Sequence, residues 1–323
     1  LIEAIQKICE ENRIQFILTT HSTSLASKVK LKNLVLCKDG CLYPMGKEYT
    51  KLREGDYLFL ERFLDSTKSN LFFANGVILV EGDAENILLP SFAKKIGRDL
   101  SQHSVSIVNV GSTAFLRYSN IFLRQDEKKL ILDVSLITDV DVRPFIHENK
   151  QTKNKKDSNE NVLKDEDGKT IKVEMTEVEV EEVRINTAQG IRDKYEAPVT
   201  AFVAPYWTLE YSIARSCLSE LFHQAVYICH KTKSKDYVYG KEEKVTLIEK
   251  AKVEYKKWKD EDNLSVDEIA YNIYKKIMLD KKISKAVVAQ VFADFIIDAD
   301  FEGVEADENL SYLVSAIKNV TGK

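Results

Sequence analysis

Four things are missing from this chain, and each absence removes a class of function. No apolar run approaches the roughly 20 residues that cross a bilayer, and the N-terminus lacks a signal-peptide layout, so no membrane association is expected. No Cys-x-x-Cys pair occurs among Cys9, Cys37, Cys41, Cys217 and Cys229. Scattered thiols argue against a disulfide framework or a zinc site and for a reducing, cytoplasmic setting. No charge of one sign dominates: 47 Lys and Arg against 51 Asp and Glu leave a net charge of −4, so any nucleic-acid binding must rest on local patches. Finally, no Gly-x-x-x-x-Gly-Lys-Ser/Thr phosphate loop occurs, and the chain alone cannot be expected to hydrolyse ATP.

What is present is a globular composition, 44% hydrophobic and 30% charged over 323 residues, long enough for about two domains at ~150 residues each. The chain opens on Leu1 rather than Met, inside a helical spacing of Leu1, Ile5, Ile8 and Cys9, as a piece of a longer protein would.

The organising stretch is Asn75–Glu85. Val77 to Val80 form a four-residue apolar run, the pattern of a parallel strand buried on both faces, and the run stops at Glu81, Gly82 and Glu85. Gly82 is expected to turn the chain tightly into a helix over Asp83–Ala93. Two carboxylates at a strand end suit a divalent metal, which takes oxygen ligands, at the sheet edge where open α/β folds bind ligands. Ser104–Val110 and Lys129–Thr138 read as further strands, with a helix over Ala114–Leu123 between them. The last strand runs into Asp139-Val140-Asp141, and alternation on an extended chain should send both aspartates to one side. The βαβ rhythm makes a parallel sheet the vehicle for both acid clusters.

Around this centre, Gln15–Thr19 reads as a strand ending in Thr20-His21-Ser22, Leu34–Pro44 as a hairpin turning at Asp39-Gly40, and Tyr57–Phe73 as a linking helix. His147–Arg184 breaks the pattern as a charged, solvated and partly disordered insertion, with Lys169–Val183 alternating like a strand pair. Val199–Ala204 is a strand, with Glu210 opening a helix to about His223; that glutamate is either a helix-start carboxylate or a fifth metal ligand. The rest is helical: Glu242–Lys259, Ser265–Leu279 with a Ser265–Glu268 capping box, Ser284–Ile297 and Asn309–Val320. Lysines from Lys241 to Lys259 and from Lys275 through Lys281 and Lys282 to Lys285 make the one sustained basic stretch. Most read as solubilising, and some are candidates for a phosphate backbone.

With both acid motifs placed, the chain resembles the Toprim domain of topoisomerases, primases and certain nucleases, whose signature is a glutamate after one core strand and Asp-x-Asp after another. Thr20-His21-Ser22 after a strand resembles the switch-histidine segment of ABC-type ATPases. Together with Trp207-Thr208-Leu209-Glu210-Tyr211 and Ser284–Gln290, these segments resemble the OLD (overcoming lysogenization defect) family of ATP-dependent endonucleases, which includes the Gabija nuclease subunit.

The resemblance implies an α/β fold, a Toprim Rossmann-like parallel sheet flanked by helices, with a helical C-terminal region and the remnant of an ABC ATPase domain. It implies an ATPase tail over 1–55, a linking helix over 56–74, a Toprim domain over 75–230 with its insertion at 147–184, and a helical region over 231–323 that completes the site. Metal ligands would be Glu81, Glu85, Asp139, Asp141 and Glu210; Glu81, Asp139 and Lys285 would be catalytic; His21 would meet the ATP γ-phosphate in the full-length protein. Two Mg²⁺ or Mn²⁺ ions about 4 Å apart would serve phosphodiester hydrolysis. DNA is the implied substrate, with ATP regulation, a homo-oligomer, a helicase-like partner and anti-phage defence as attributes of the full-length protein. The alternatives are a non-catalytic Toprim module for DNA binding or assembly, and a primase-type nucleotidyl transferase.

Overall fold

The computed structural model describes residues 2–111, 114–126, 128, 130–232, 241–280 and 283–322. Leu1, Lys129, Lys281 and Lys282, all named above, lie outside the described residues. The chain divides into two compact units: Leu1–Ile137 with Tyr195–Ala201 and Ser315–Lys323, and Thr138–Lys194 with Phe202–Val314.

The first unit is built on a parallel sheet. Its central strand β1 (Gly76–Val80) is buried at every residue, as a run without polar alternation must be to sit between covered faces. Strand β2 (Val105–Asn109) pairs with one edge of β1 and β3 (Asp133–Thr138) with the other, both parallel. Val134 N–H donates to the Pro198 carbonyl (3.0 Å) and Ala204 N–H to the Thr138 carbonyl (2.9 Å), so β4 (Val199–Val203) also runs parallel, and the order is β2-β1-β3-β4. A parallel connection needs a long crossover, and helix α1 (Asp83–Lys95) supplies the one between β1 and β2. The α/β fold expected from the βαβ rhythm is the one formed.

A core of Leu60, Leu71, Leu79, Tyr118, Phe122 and Leu136, with many smaller neighbours, lies within this unit. Gly76 shows how tightly it packs: a Cβ there would stand 2.6 Å from the Val320 carbonyl oxygen and 2.9 Å from the Val320 Cβ.

Several local expectations are corrected here. The Leu34–Pro44 hairpin forms, with Asp39 and Gly40 at φ of 49° and 73° in its turn. The single helix over Tyr57–Phe73 does not. It is Glu54–Phe63 followed by a 3-10 turn at Lys68–Phe72, because the Asp65 carboxylate accepts the Lys68 N–H (2.8 Å) and so starts a new turn. The helix expected over Ala114–Leu123 is only Phe115–Ser119. The strand expected over Gln15–Thr19 has no ladder at all, and Ile17 is 86% exposed there.

In the second unit the charged segment is ordered. Lys169–Val183 is not a strand pair: Thr152–Asn154 pairs with Lys172–Glu174, and a helix then runs over Glu177–Arg192. Its start is a capping box, Thr176 with Glu179, and the acid run puts Glu177 and Glu179 in the first turn, where the helix dipole favours them. The helix expected from Glu210 to His223 is two, α2 (Leu209–Arg215) and α3 (Ser219–Thr232), separated by Ser216 in an extended conformation. Helices α4 (Val266–Lys275) and α5 (Lys285–Asp298) follow, α4 with the expected Ser265–Glu268 box.

His223 on α3 is fully buried with neither ring nitrogen hydrogen-bonded, its ring 4.7 Å from Trp258 and within 6.0 Å of Tyr227 and Tyr255. Burial first, and then the Lys276 ammonium, hold its pKa down to about 3.

Two predictions follow from this packing. Gly76→Ala should lower the unfolding free energy by about 1–3 kcal/mol, because backbone rather than a flexible side chain must move; an unchanged urea midpoint would contradict it. A histidine whose folded pKa lies below its unfolded value of about 6.5 contributes stability above that value and loses it as pH falls towards about 3. The urea midpoint should therefore drop between about pH 7 and about pH 5, and His223→Phe should flatten that drop; parallel curves would refute the assignment.

Candidate functional site

The second unit brings three of the expected site residues together. Beyond β4 the chain passes Pro205, Tyr206 and Trp207 and enters α2 with Thr208 as its N-cap; the Thr208 hydroxyl accepts the Tyr211 N–H (3.3 Å). The Asp139 Oδ1 accepts the Leu209 N–H (2.8 Å), so one expected metal ligand is seated on the first turn of the helix that carries another. Glu210, in that first turn, is 4% exposed. A buried carboxylate needs a counter-charge, and Lys285, the first residue of α5, supplies it with Nζ 2.8 Å from Glu210 Oε2. Burial works against the Lys285 charge; the attraction of Glu210, and next of Asp139, outweighs it and holds the ammonium above its ordinary pKa.

Asp141 is arranged differently from the expectation. The strand ends at Thr138, and Asp141 has a φ of 55°, so the alternation that was to aim Asp139 and Asp141 to one side does not continue through the pair. Aspartate tolerates this left-handed region, and its N–H is held by the Trp207 carbonyl (2.9 Å).

In the first unit, Glu81 follows β1 directly and Gly82 caps α1. Gly82 does not make the tight turn expected of it: φ −147° and ψ −177° are extended backbone open to any residue. A Cβ there would lie 3.3 Å from Glu85 Oε2, so the glycine sits close to that carboxylate. Glu85 is 8% exposed on the first turn of α1, whose dipole favours a carboxylate. Burial and then the charge of Glu81 push the Tyr195 phenol up to about 12. Asn109 at the end of β2 donates to Asp83 (2.8 Å). His21 lies outside any regular element, its ring 6.0 Å from Phe73.

Among the described residues, no three His, Cys, Asp or Glu side chains stand together as a metal site. The donor set nevertheless suits a hard divalent cation: all the expected ligands are carboxylates, and in the second unit a lysine ammonium already neutralises the buried Glu210. Thr208 and Trp207 belong to this construction, although the sequence pointed only to Glu210. A Ser/Thr/Asp/Asn scan for N-caps would have found Thr208.

With this geometry in place, comparison with known proteins identifies a resemblance. Residues 72–141 match the family described as Overcoming lysogenization defect protein-like, TOPRIM domain. The chain is similar to the endonuclease GajA of Bacillus cereus (strain HuB5-5), at 26% identity over 210 residues, which is 57% of this chain and 29% of that protein. It thus spans less than a third of that relative's length. Among solved structures it is similar to the C-terminal region of the Xanthomonas campestris pv. campestris OLD protein, at 19% identity and a TM-score of 0.39 over 78% of this chain and 94% of that one. The C-terminal region of the Burkholderia pseudomallei OLD protein gives 20% identity and a TM-score of 0.39 over 77% and 100%. The expected resemblance to the OLD family is borne out.

Removing the ammonium tests the electrostatics. Lys285→Met should cost about 1–3 kcal/mol, the range for leaving a buried charged group unpaired beside a partly exposed partner. Millimolar Mg²⁺ or Mn²⁺ should restore part of the thermal midpoint. A variant as stable as the parent without metal would show that the pair does not hold Glu210.

Proposed function

We propose that this chain is the nuclease portion of an OLD-like protein and cleaves DNA phosphodiester bonds with divalent cations. Glu81, Glu85, Asp139, Asp141 and Glu210 are its metal ligands, and Lys285 meets the substrate phosphate. The observation that carries the reading is that residues 72–141, which match the OLD-like Toprim family, contain Glu81, Glu85, Asp139 and Asp141 in the order that chemistry needs. The buried Glu210, its lysine and the neighbouring Asp139 support it from the second unit.

Two Mg²⁺ or Mn²⁺ ions at such carboxylates supply an activated water and neutralise charge on the leaving oxygen. The chain's own residues do the rest. Asp139 accepts the Leu209 N–H, which orients its carboxylate at the start of the helix that carries Glu210. Lys285 offers a fixed positive charge to the extra negative charge that builds on the phosphate in the transition state. Glu210 would be among the residues that hold a cation, and Lys285 beside it would serve the phosphate. Residues 1–55 with His21 would be the tail of an ATPase domain. ATP control, self-assembly, a helicase-like partner and a role against phage would belong to that longer protein.

Supercoiled plasmid incubated with the protein and Mg²⁺ or Mn²⁺ should be nicked. Glu81→Ala should abolish nicking, by at least about 100-fold, as loss of a metal ligand or its support does. Lys153→Ala, at an exposed strand where Lys153 pairs with Glu179, should leave it intact. Equal activity in the two variants would remove the nuclease reading. Duplex binding without new ends would establish the non-catalytic module instead, and incorporation of labelled nucleotide the transferase.

A further inference from the structure

Two arginines bear on one tyrosine ring just before the Glu210 helix, and the proposed chemistry does not use them. The Arg215 guanidinium carbon, at the end of α2, lies 3.8 Å from the centre of the Tyr206 ring, and that of Arg184 lies 4.4 Å from it. A guanidinium this near a ring centre is attracted by the ring quadrupole. Both arginines are fastened elsewhere as well. Arg184 holds the Glu181 carboxylate and donates to the Pro205 carbonyl, while Arg215 pairs with Asp267 and donates to Asn309 Oδ1 (3.4 Å). The Tyr211 hydroxyl also donates to Asp267 Oδ1 (2.9 Å), which ties α2 to α4, and the Tyr206 carbonyl accepts the Ser212 hydroxyl (2.9 Å).

The residue that follows is the one under strain. Trp207 has a φ of 29°, in the left-handed region that a bulky side chain rarely enters. Such a backbone persists only where its surroundings over-determine it. The Trp207 carbonyl accepts the Asp141 N–H (2.9 Å), so two left-handed residues meet in one hydrogen bond. Two positions further on, the Leu209 N–H goes to Asp139 Oδ1 (2.8 Å), and Glu210 follows. A shift of Tyr206 would let Trp207 relax, and the bond that seats Asp141 would go with it.

We propose that Tyr206 is a positioning residue: its ring, held by Arg184 and Arg215, fixes the strained Trp207 backbone that seats Asp141 and leads into Glu210. The inference rests on the reading of Asp141 and Glu210 as metal ligands. It also gives the charged segment a part in the site, because Arg184 lies on the helix over Glu177–Arg192. An aliphatic side chain could fill much of the same space, but it would offer a guanidinium no quadrupole. Arginine suits the other side of the contact. Its planar head can lie over a ring while its N–H groups keep Glu181 and the Pro205 carbonyl, which a lysine ammonium could not do together.

Two substitutions separate stacking from bulk: Tyr206→Phe keeps a ring for the guanidiniums, and Tyr206→Leu keeps only an apolar side chain. In metal-free protein, amide hydrogen exchange at Asp141 and Leu209 should be about tenfold faster in Tyr206→Leu, the sign of easier local opening, and within about twofold of the parent in Tyr206→Phe. Amides of β1, in the first unit, should exchange as in the parent in both variants. The plasmid-nicking kcat of Tyr206→Leu should fall about tenfold with the KM for DNA within about twofold, the pattern of an interaction that matters in the transition state, and Tyr206→Phe should restore it. Parental exchange at Asp141 and Leu209, or an unchanged kcat, in a folded Tyr206→Leu protein would overturn the inference and leave the nuclease reading standing. Equally faster exchange throughout β1 would overturn it too, since Tyr206 would then be a general support. Should Tyr206→Leu not fold, Arg184→Gln decides: faster exchange at Asp141 upholds the inference, and parental exchange overturns it. If the parent itself makes no nicks, the nuclease reading fails and the exchange comparison decides the inference alone.

Discussion

A carboxylate almost out of water is the constraint on which the second unit turns. Burying Glu210 with its charge intact would cost several kcal/mol without compensation. The Lys285 ammonium at 2.8 Å offsets that cost, and the rest of the neighbourhood follows from holding these two groups together. Thr208 caps the short helix that presents Glu210, Asp139 takes the adjacent N–H, and Trp207 and Tyr274 form the aromatic wall behind. An ion pair of this kind is weak evidence of stability for its own sake, since apolar residues of the same volume often do as well. Under the nuclease proposal, chemistry that needs a carboxylate and an ammonium side by side would account for it.

The first unit solves a different problem with similar means. Its central strand carries no polar side chain between Val77 and Val80, so its backbone is saturated by β2 and β3 and its side chains by the core. Polarity begins where the strand stops. Glu81 follows the strand directly, and the Glu85 carboxylate comes close to Gly82 at the start of α1. The Gly82 backbone itself is extended and open to any residue.

The periodic elements were legible because their patterns were strong. The buried run of β1, the hairpin turn at Asp39-Gly40 and the Ser265–Glu268 capping box all formed as expected. Three of the misreadings share one cause, short-range side-chain competition that overrides a hydrophobic or alternating period. Asp65 restarts a turn inside an apparently continuous helix, Ser216 interrupts another, and Thr176 with Glu179 converts an alternating acid run into a helix. In the site, the acid residues stood out by type and position and Lys285 through the family resemblance, while Thr208 did not stand out. A threonine before a helical run looks the same whether or not its helix carries a charged pair.

Residue order alone determined that a parallel α/β sheet would form and that its strands would end in carboxylates, because both depend on local runs and their spacing. The pairing of Glu210 with Lys285, 75 positions apart in the sequence, was decided only by the tertiary structure. So was the left-handed backbone at Asp141. Desolvation is the physical reason: it depends on which distant segments exclude water from a side chain, and no local pattern records that.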